Sequence, residues 1–426
     1  MSTQRHPVRV LEQLYRCWLD FWFLADLARK IDYITGRSAM REIINYKKLA
    51  AFRPWLLNLH SRIKQQGQRP EEVVLSASDI TDWVCTTADL PKSWVNGTIG
   101  LVPLHLSCWT LNSRRIYEIS GELQTLLMAT SLKEVRWSDV DWPFLSFAMS
   151  LEQPMRSLPD DLGSDFLIVY QCSLPQSWMK YGRREGVPDN YEEPVFMAEG
   201  FNSSRLNEYQ PLTQAQKDDL TRRLGHARTR RSTLRQLEAD WKSLDEANLR
   251  GFEGMSGFMV PLNRDTLIPE SVAKSMDERR KEGLPDHLSA QQLAFYERLT
   301  RLVAGFPLYL KSLPAKSPCL SPPQPICAAG PDPSAIVREA DLCTVSSKFR
   351  VSREEQVLLG IIPGEPGERE RYALSCHFRE AYWRRFPGQG KNPNAPKAVH
   401  VRSTIVRRDR LPDGGTPGGS VKNMEP

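Results

Sequence analysis

Apolar positions near the start of the chain recur at helical spacing. Leu11, Leu14, Tyr15, Trp18, Leu19, Trp22 and Phe23 fall on one face, which predicts an amphipathic helix. Gly36 separates it from a second helix expected around Ser38–Ala51, and Pro54 marks a third that reaches Ile63. VLSASDITDWVC predicts one short helix within 71–90. The dense aromatics of this stretch fit the core of a helical N-terminal region, 1–97, with a partner groove as the alternative.

From residue 98 the pattern changes. TIGLVPLHLSCWTL and DFLIVYQC are continuous runs of apolar and β-branched residues bounded by Gly, Pro and Ser, and they predict strands. GELQTLLMATSL between them predicts a helix, and GFMVPL another strand. Residues 213–250 predict one long helix. Thr213 and Gln216 form a capping box, and Leu220, Leu224, Ala227, Leu234, Leu237, Trp241 and Leu244 continue a stripe interrupted at Arg231. Gly251 is placed to close it in a left-handed conformation. The interruption favours packing on the same chain over coiled-coil pairing. Ser289 and Gln292 suggest a second capping box opening a helix that Pro307 should bend or end.

Seven prolines between 314 and 333 read as an extended linker. Beyond it, AVHVRSTIVRR alternates, with Val399, Val401 and Ile405 on one face and His400, Arg402, Thr404 and Arg408 on the other. The expected fold class is α+β. A helical N-terminal region, 1–97, is followed by a mixed α/β central body, 98–313, that carries the long basic helix 213–250. The linker 314–333, a small basic aromatic C-terminal module, 334–410, and a disordered tail, 411–426, complete it. No internal repeat is visible.

Charge sharpens this picture. The 426-residue chain carries a formal net charge of +6, which by itself implies no nucleic acid. Residues 369–410, however, hold eleven Lys and Arg against three acids, interleaved with Tyr372, Phe378, Tyr382, Trp383 and Phe386. A second cluster, Arg222, Arg223, Arg228, Arg230, Arg231 and Arg235, runs with no acid between Leu220 and Leu237. Such surfaces attract phosphates, and aromatics can stack on bases. A solvated helix face plus a basic tail is the simpler alternative. The nucleic-acid-binding candidates are Trp383 for stacking, with Arg384, Arg385, His400, Arg402, Arg407, Arg408, Arg222, Arg223, Arg230 and Arg231 for phosphates.

Catalytic motifs are missing from the sequence: no phosphate-binding loop, no G-x-S-x-G elbow, no H-E-x-x-H. Cys319, Cys327 and Cys343 are too widely spaced for a typical zinc site. Cys376 and His377 adjoin only in sequence. His60 and His105 read as satisfied core or boundary histidines, and His226 as a titratable group in the arginine cluster. Asp139 with Asp141, and Asp160 with Asp161, could serve a metal-dependent nuclease, but turn chemistry explains them more simply. No catalytic residue, metal or cofactor is therefore nominated, and whether the chain is an enzyme stays open, with a binding role favoured. Eight cysteines, no apolar run of membrane-spanning length and no signal-peptide pattern point to a reduced, cytoplasmic protein with no membrane partner.

Three stretches carry a resemblance. WTLNSRRIYEISGELQTLLMATSLKEVRWSDVDWPFLSFAMSLEQP resembles a pattern of Trp, Ile-Tyr, a two-leucine helix, Thr-x-Leu and a segment entering a strand. LTRLVAGFPLYLKSL resembles a leucine-rich helix with a Leu-Tyr-Leu core, and YWRRFPGQGKNPNAPKAVHVRSTIVRRDRLPD an aromatic-Arg segment, a turn and a V-R strand. Together they resemble the anti-CRISPR family directed against the type V-A effector nuclease and its relatives on phages and mobile elements. The pattern commonly has His on both sides of the Trp where this chain has Tyr382 and Arg384. The resemblance implies a non-enzymatic inhibitor in the bacterial cytoplasm that limits effector production by engaging the nascent peptide and its message. Its implied partner is a nascent or mature protein target, such as a CRISPR effector; the basic aromatic C-terminal module adds RNA or the ribosome as a further expected partner, with the peptide bound by the α+β body. A DNA- or RNA-binding accessory protein of a mobile element is the alternative.

Overall fold

The computed structural model describes residues 7–37, 46–89, 102–156, 162–175, 187–188, 190–227, 230–261, 266–273, 286–314, 316–327, 339–347, 377–379, 382–386, 397–401 and 404–406. The chain is mixed helix and sheet, as the α+β expectation has it, and divides into two compact units. One comprises Met1–Glu118, Phe144–Leu262 and Pro322–Cys343, the other Ile119–Pro143, Asn263–Ser321 and Thr344–Pro426.

The first unit opens with helix α1 (Pro7–Thr35), whose apolar face is buried as the spacing predicts. Gly36 takes a left-handed φ of 72° just beyond it. Part of the second expected helix, 38–45, lies outside the described residues; Tyr46–Ala51 forms a 3-10 turn. Helices α2 (Phe52–Gln65) and α3 (Ala77–Ala88) follow, the latter capped by Ser76, whose Oγ accepts from the Asp79 amide.

The next segment departs from expectation. TIGLVPLHLSCWTL is not a strand: Val102–Asn112 is helix α4, and all of its residues are buried. An apolar run without periodicity fits a helix enclosed on every side as well as it fits a buried strand. Helix α4 lies against a sheet built from β2 (Arg115–Ile119), β3 (Ser146–Met155), β4 (Ser164–Pro175), β5 (Glu192–Phe201), β6 (Ser256–Pro261), β7 (Gln324–Cys327) and β8 (Glu339–Val345). The order is β6-β5-β4-β3-β2-β8-β7, and the two-residue β1 (Leu75–Ser76) pairs parallel with β4 where β3 has left it. Neighbours β3, β4, β5 and β6 run antiparallel. Strand β4 is buried along nearly its whole length, which matches its continuous apolar sequence. Gln324–Cys327 falls within the stretch read as a linker, yet it is a sheet strand; its backbone pairs with β8 regardless of its proline content.

The expected long helix is two helices. After the short α6 (Ser203–Glu208), α7 (Gln214–Ala227) and α8 (Arg231–Gly251) pack against each other. The capping box at Thr213 is present: the Gln216 amide donates to Thr213 Oγ1 at 3.3 Å, and the Thr213 amide to Gln216 Oε1 at 2.8 Å. The chain breaks at the point where Arg231 interrupts the stripe. Phe23, Leu24, Leu27 and Ile31 of α1 share a core with Leu220, Leu224 and Ala227 of α7 and Leu237 of α8. Gly251 is the last residue of α8 and has no positive φ. Its role is close approach, since a Cβ there would meet Cys17 Sγ at 2.8 Å.

In the second unit, α5 (Gly121–Ala129) is capped by Ser120, whose Oγ accepts from the Leu123 amide. Helix α9 (Asp286–Ser312) begins three residues before Ser289, so the second capping box is not its start. Pro307 does not end it; the helix runs on to Ser312. The alternating stretch AVHVRSTIVRR is two short strands rather than one. Strand β11 (Lys397–Val401) pairs with β10 (Tyr382–Phe386), and β12 (Thr404–Val406) with β9 (His377–Arg379).

Candidate functional site

Of the C-terminal candidates, β10 and β11 bring two together. They pair antiparallel with Trp383 opposite His400, so both side chains share a face. The rings meet edge to face with centroids 5.1 Å apart. His400 Nε2 lies 3.2 Å from Thr130 Oγ1, just beyond the end of α5, and the Trp383 amide donates to the Ser131 carbonyl. Trp383 is only 1% exposed, so no face of its ring is open to a nucleobase in this structure. His400, expected on the outward basic face, is half-buried on the inner one. Arg384, one residue out of phase, is exposed. Arg385 sits on β10, and Arg402, Arg407 and Arg408 lie outside the described residues.

The α7–α8 hairpin presents the second cluster. Arg222 is exposed and paired with Asp219. Arg223 is folded inward, its guanidinium 2.6 Å from Asp240 of α8, an ion pair that ties the two helices together. Arg230, Arg231 and Arg235 are exposed, and no acid pairs with any of the three among the described residues. Arg228 lies outside the described residues. Helices α7 and α8, with Arg230 just before α8, thus carry four exposed arginines, which can meet phosphate oxygens without first breaking a buried contact.

Sequence reasoning missed a third group. His105 of α4, Tyr170 of β4 and Glu199 of β5 are fully buried together: His105 Nε2 lies 3.7 Å from Glu199 Oε1, and its ring centroid 5.2 Å from that of Tyr170. Neither imidazole nitrogen, nor the Tyr170 hydroxyl, nor Glu199 Oε2 has a hydrogen-bond partner among the described residues. His105 was expected to be a core histidine and is one, but it is not a satisfied one. Burial lowers its pKa to about 3 and raises that of Glu199 to about 8, because each charged form loses its hydration. Both groups are therefore neutral near pH 7. The only sequence signal was a Glu within the apolar run VFMAEGF.

The remaining candidates have structural partners. Asp139 Oδ2 accepts from the Arg136 amide at 2.9 Å, and Asp141 pairs with Lys311 at 3.0 Å. Asp160, Asp161 and Cys376 lie outside the described residues. Among the described residues no group of three or more His, Cys, Asp or Glu is placed to hold a metal, and no helix is long and apolar enough to cross a membrane.

No family model matches the sequence, and no curated protein matches it. Among solved structures, the crystal structure of AcrVA2 aligns over 84% of this chain and 95% of that one, with a TM-score of 0.38 and 10% identity.

Proposed function

We propose that the chain is a non-enzymatic binding protein of the anti-CRISPR type, encoded on a mobile element, that limits production of a CRISPR effector by engaging its peptide and its message. The observation that supports a nucleic-acid contact is the set of exposed arginines 222, 230, 231 and 235 carried by the paired helices α7 and α8 and the residue before α8. The three sequence stretches described above support the inhibitor reading.

Two measurements test it. Fluorescence anisotropy with labelled single-stranded RNA across a salt series should give a log–log slope near −3, since about four phosphate contacts release roughly 0.7 counterion each. Reversal of the four arginines to Glu should bring the slope close to zero while the melting temperature stays unchanged. Affinity indifferent to salt and to reversal would remove the hairpin from the reading. Producing the chain beside a type V-A effector should lower the effector's level and that of its message; unchanged levels together with equal binding of duplex DNA would favour the accessory nucleic-acid-binding protein instead.

A further inference from the structure

Glu199 occupies an unusual position in the sheet of the first unit. It lies opposite Gly257 across the β5–β6 pair. The carboxyl group fills the space at the glycine: a Cβ on residue 257 would come within 2.6 Å of Glu199 Oε2 and 2.9 Å of Oε1. The acid therefore lies directly under the backbone of β6, 2% exposed, with Oε2 unpartnered among the described residues. Strand β6 pairs with β5 and stands at one end of the strand order.

Among the described residues, the titratable groups around this carboxyl offer it no positive charge. From α4 comes His105, neutral through burial, and from β4 come Tyr170 and Cys172, on both of which a Glu199 charge would act. Strand β6 itself is Ser256, Gly257, Phe258, Met259, Val260 and Pro261, none of them charged. A carboxylate formed here would be an unpaired buried anion, among the costliest groups a core can contain. The least costly way to hydrate it is to release the element that covers it and that, among the described residues, has a strand neighbour on one side only.

We infer that Glu199 is a proton-operated latch on edge strand β6. With its proton in place the neutral carboxyl lies under Gly257 and the strand stays paired. When the proton passes to solvent, β6 separates from β5 and water reaches the carboxylate. The sign follows from the direction of the shift. The folded-state pKa is raised from 4.5 to about 8, so the protonated form is the one the closed sheet favours. That contribution is complete below the unfolded value and is lost as pH rises through about 8.

Hydrogen exchange on the full chain, read by mass spectrometry at about pH 6.5 and about pH 9 and corrected for intrinsic exchange, tests this. Peptides containing 256–261 should lose protection by about tenfold relative to peptides from the β3–β4 pair. Glu199→Gln, which keeps the shape and cannot ionise, should abolish the difference between the two pH values. Constant protection of β6, loss in step with β3–β4, or the same loss in Glu199→Gln would each overturn the latch. The wild-type comparison of β6 with β3–β4 stands alone should the variant fail to fold.

Discussion

Asp20 shows how one side chain on α1 gathers a unit around itself. It is 1% exposed, yet its two oxygens accept from the Tyr209 hydroxyl at 2.7 Å, the Leu212 amide at 2.8 Å and Lys217 Nζ at 2.6 Å. Asn248 of α8 continues the network, donating to the Cys17 carbonyl and to the Tyr209 oxygen at 3.0 Å each. Such a charge is tolerated because every demand on it is met. Asp20→Ala would leave Lys217, 15% exposed, without its partner. The expected cost is about 3 kcal/mol, read as a lower urea midpoint. Asp20→Asn, which keeps an acceptor, should cost less; equal midpoints for Asp20→Ala and wild type would contradict the assignment. None of this was legible in the sequence, where Asp20 merely interrupts an apolar run. Its partners lie about 190 residues away, and single-sequence patterning carries no information about pairing at that separation. The same holds for His105 and Glu199, which meet only because α4 packs on a strand bonded to β5.

Elements were legible to the degree that their surroundings are simple. Helix α1, with one buried face, and β4, buried along its length, each present one of the patterns that periodicity recognises. Helix α4 defeated it because a helix enclosed on all sides has no polar face to set a period. The α7–α8 hairpin was half-read. The stripe and its first cap were right, but the arginine interruption marks a reversal rather than a flaw in one helix. Of the nucleic-acid candidates, Arg222, Arg230, Arg231 and Arg235 are exposed, while Trp383 is turned inward. Alternation says that two sets of side chains face opposite ways, but not which way is in. Leu237 fixes the hairpin to α1 and is fully buried in the core formed with Phe23, Leu24, Leu27 and Ile31. Leu237→Ala should cost about 2–5 kcal/mol. It should also make α7 and α8 the earliest sites of limited proteolysis; unaltered cleavage and stability would mean that the pair is held to α1 by contacts other than Leu237.

At the scale of the whole molecule, the two units interleave along the chain. The sheet of the first unit begins near residue 75 and is finished only by β7 and β8, after α9 of the second unit has been made. A chain ended at residue 313 therefore keeps β2 but loses the strand beside it, and it exposes a new edge. It should elute as aggregate in size-exclusion chromatography, whereas a chain ended at residue 347 should not; a well-behaved 313-residue form would show the last two strands to be dispensable. Any test of the C-terminal basic segment by deletion should accordingly cut after 347 rather than at 334, where β8 would be lost with it. The interleaving also sets a clock. About 220 residues separate β2 from β8, so at roughly 5–20 residues per second an emerging chain waits about 10–40 s with its sheet incomplete. During that interval the flank of β2 is left free, and a chaperone able to shield it would decide how much of the newly made chain matures.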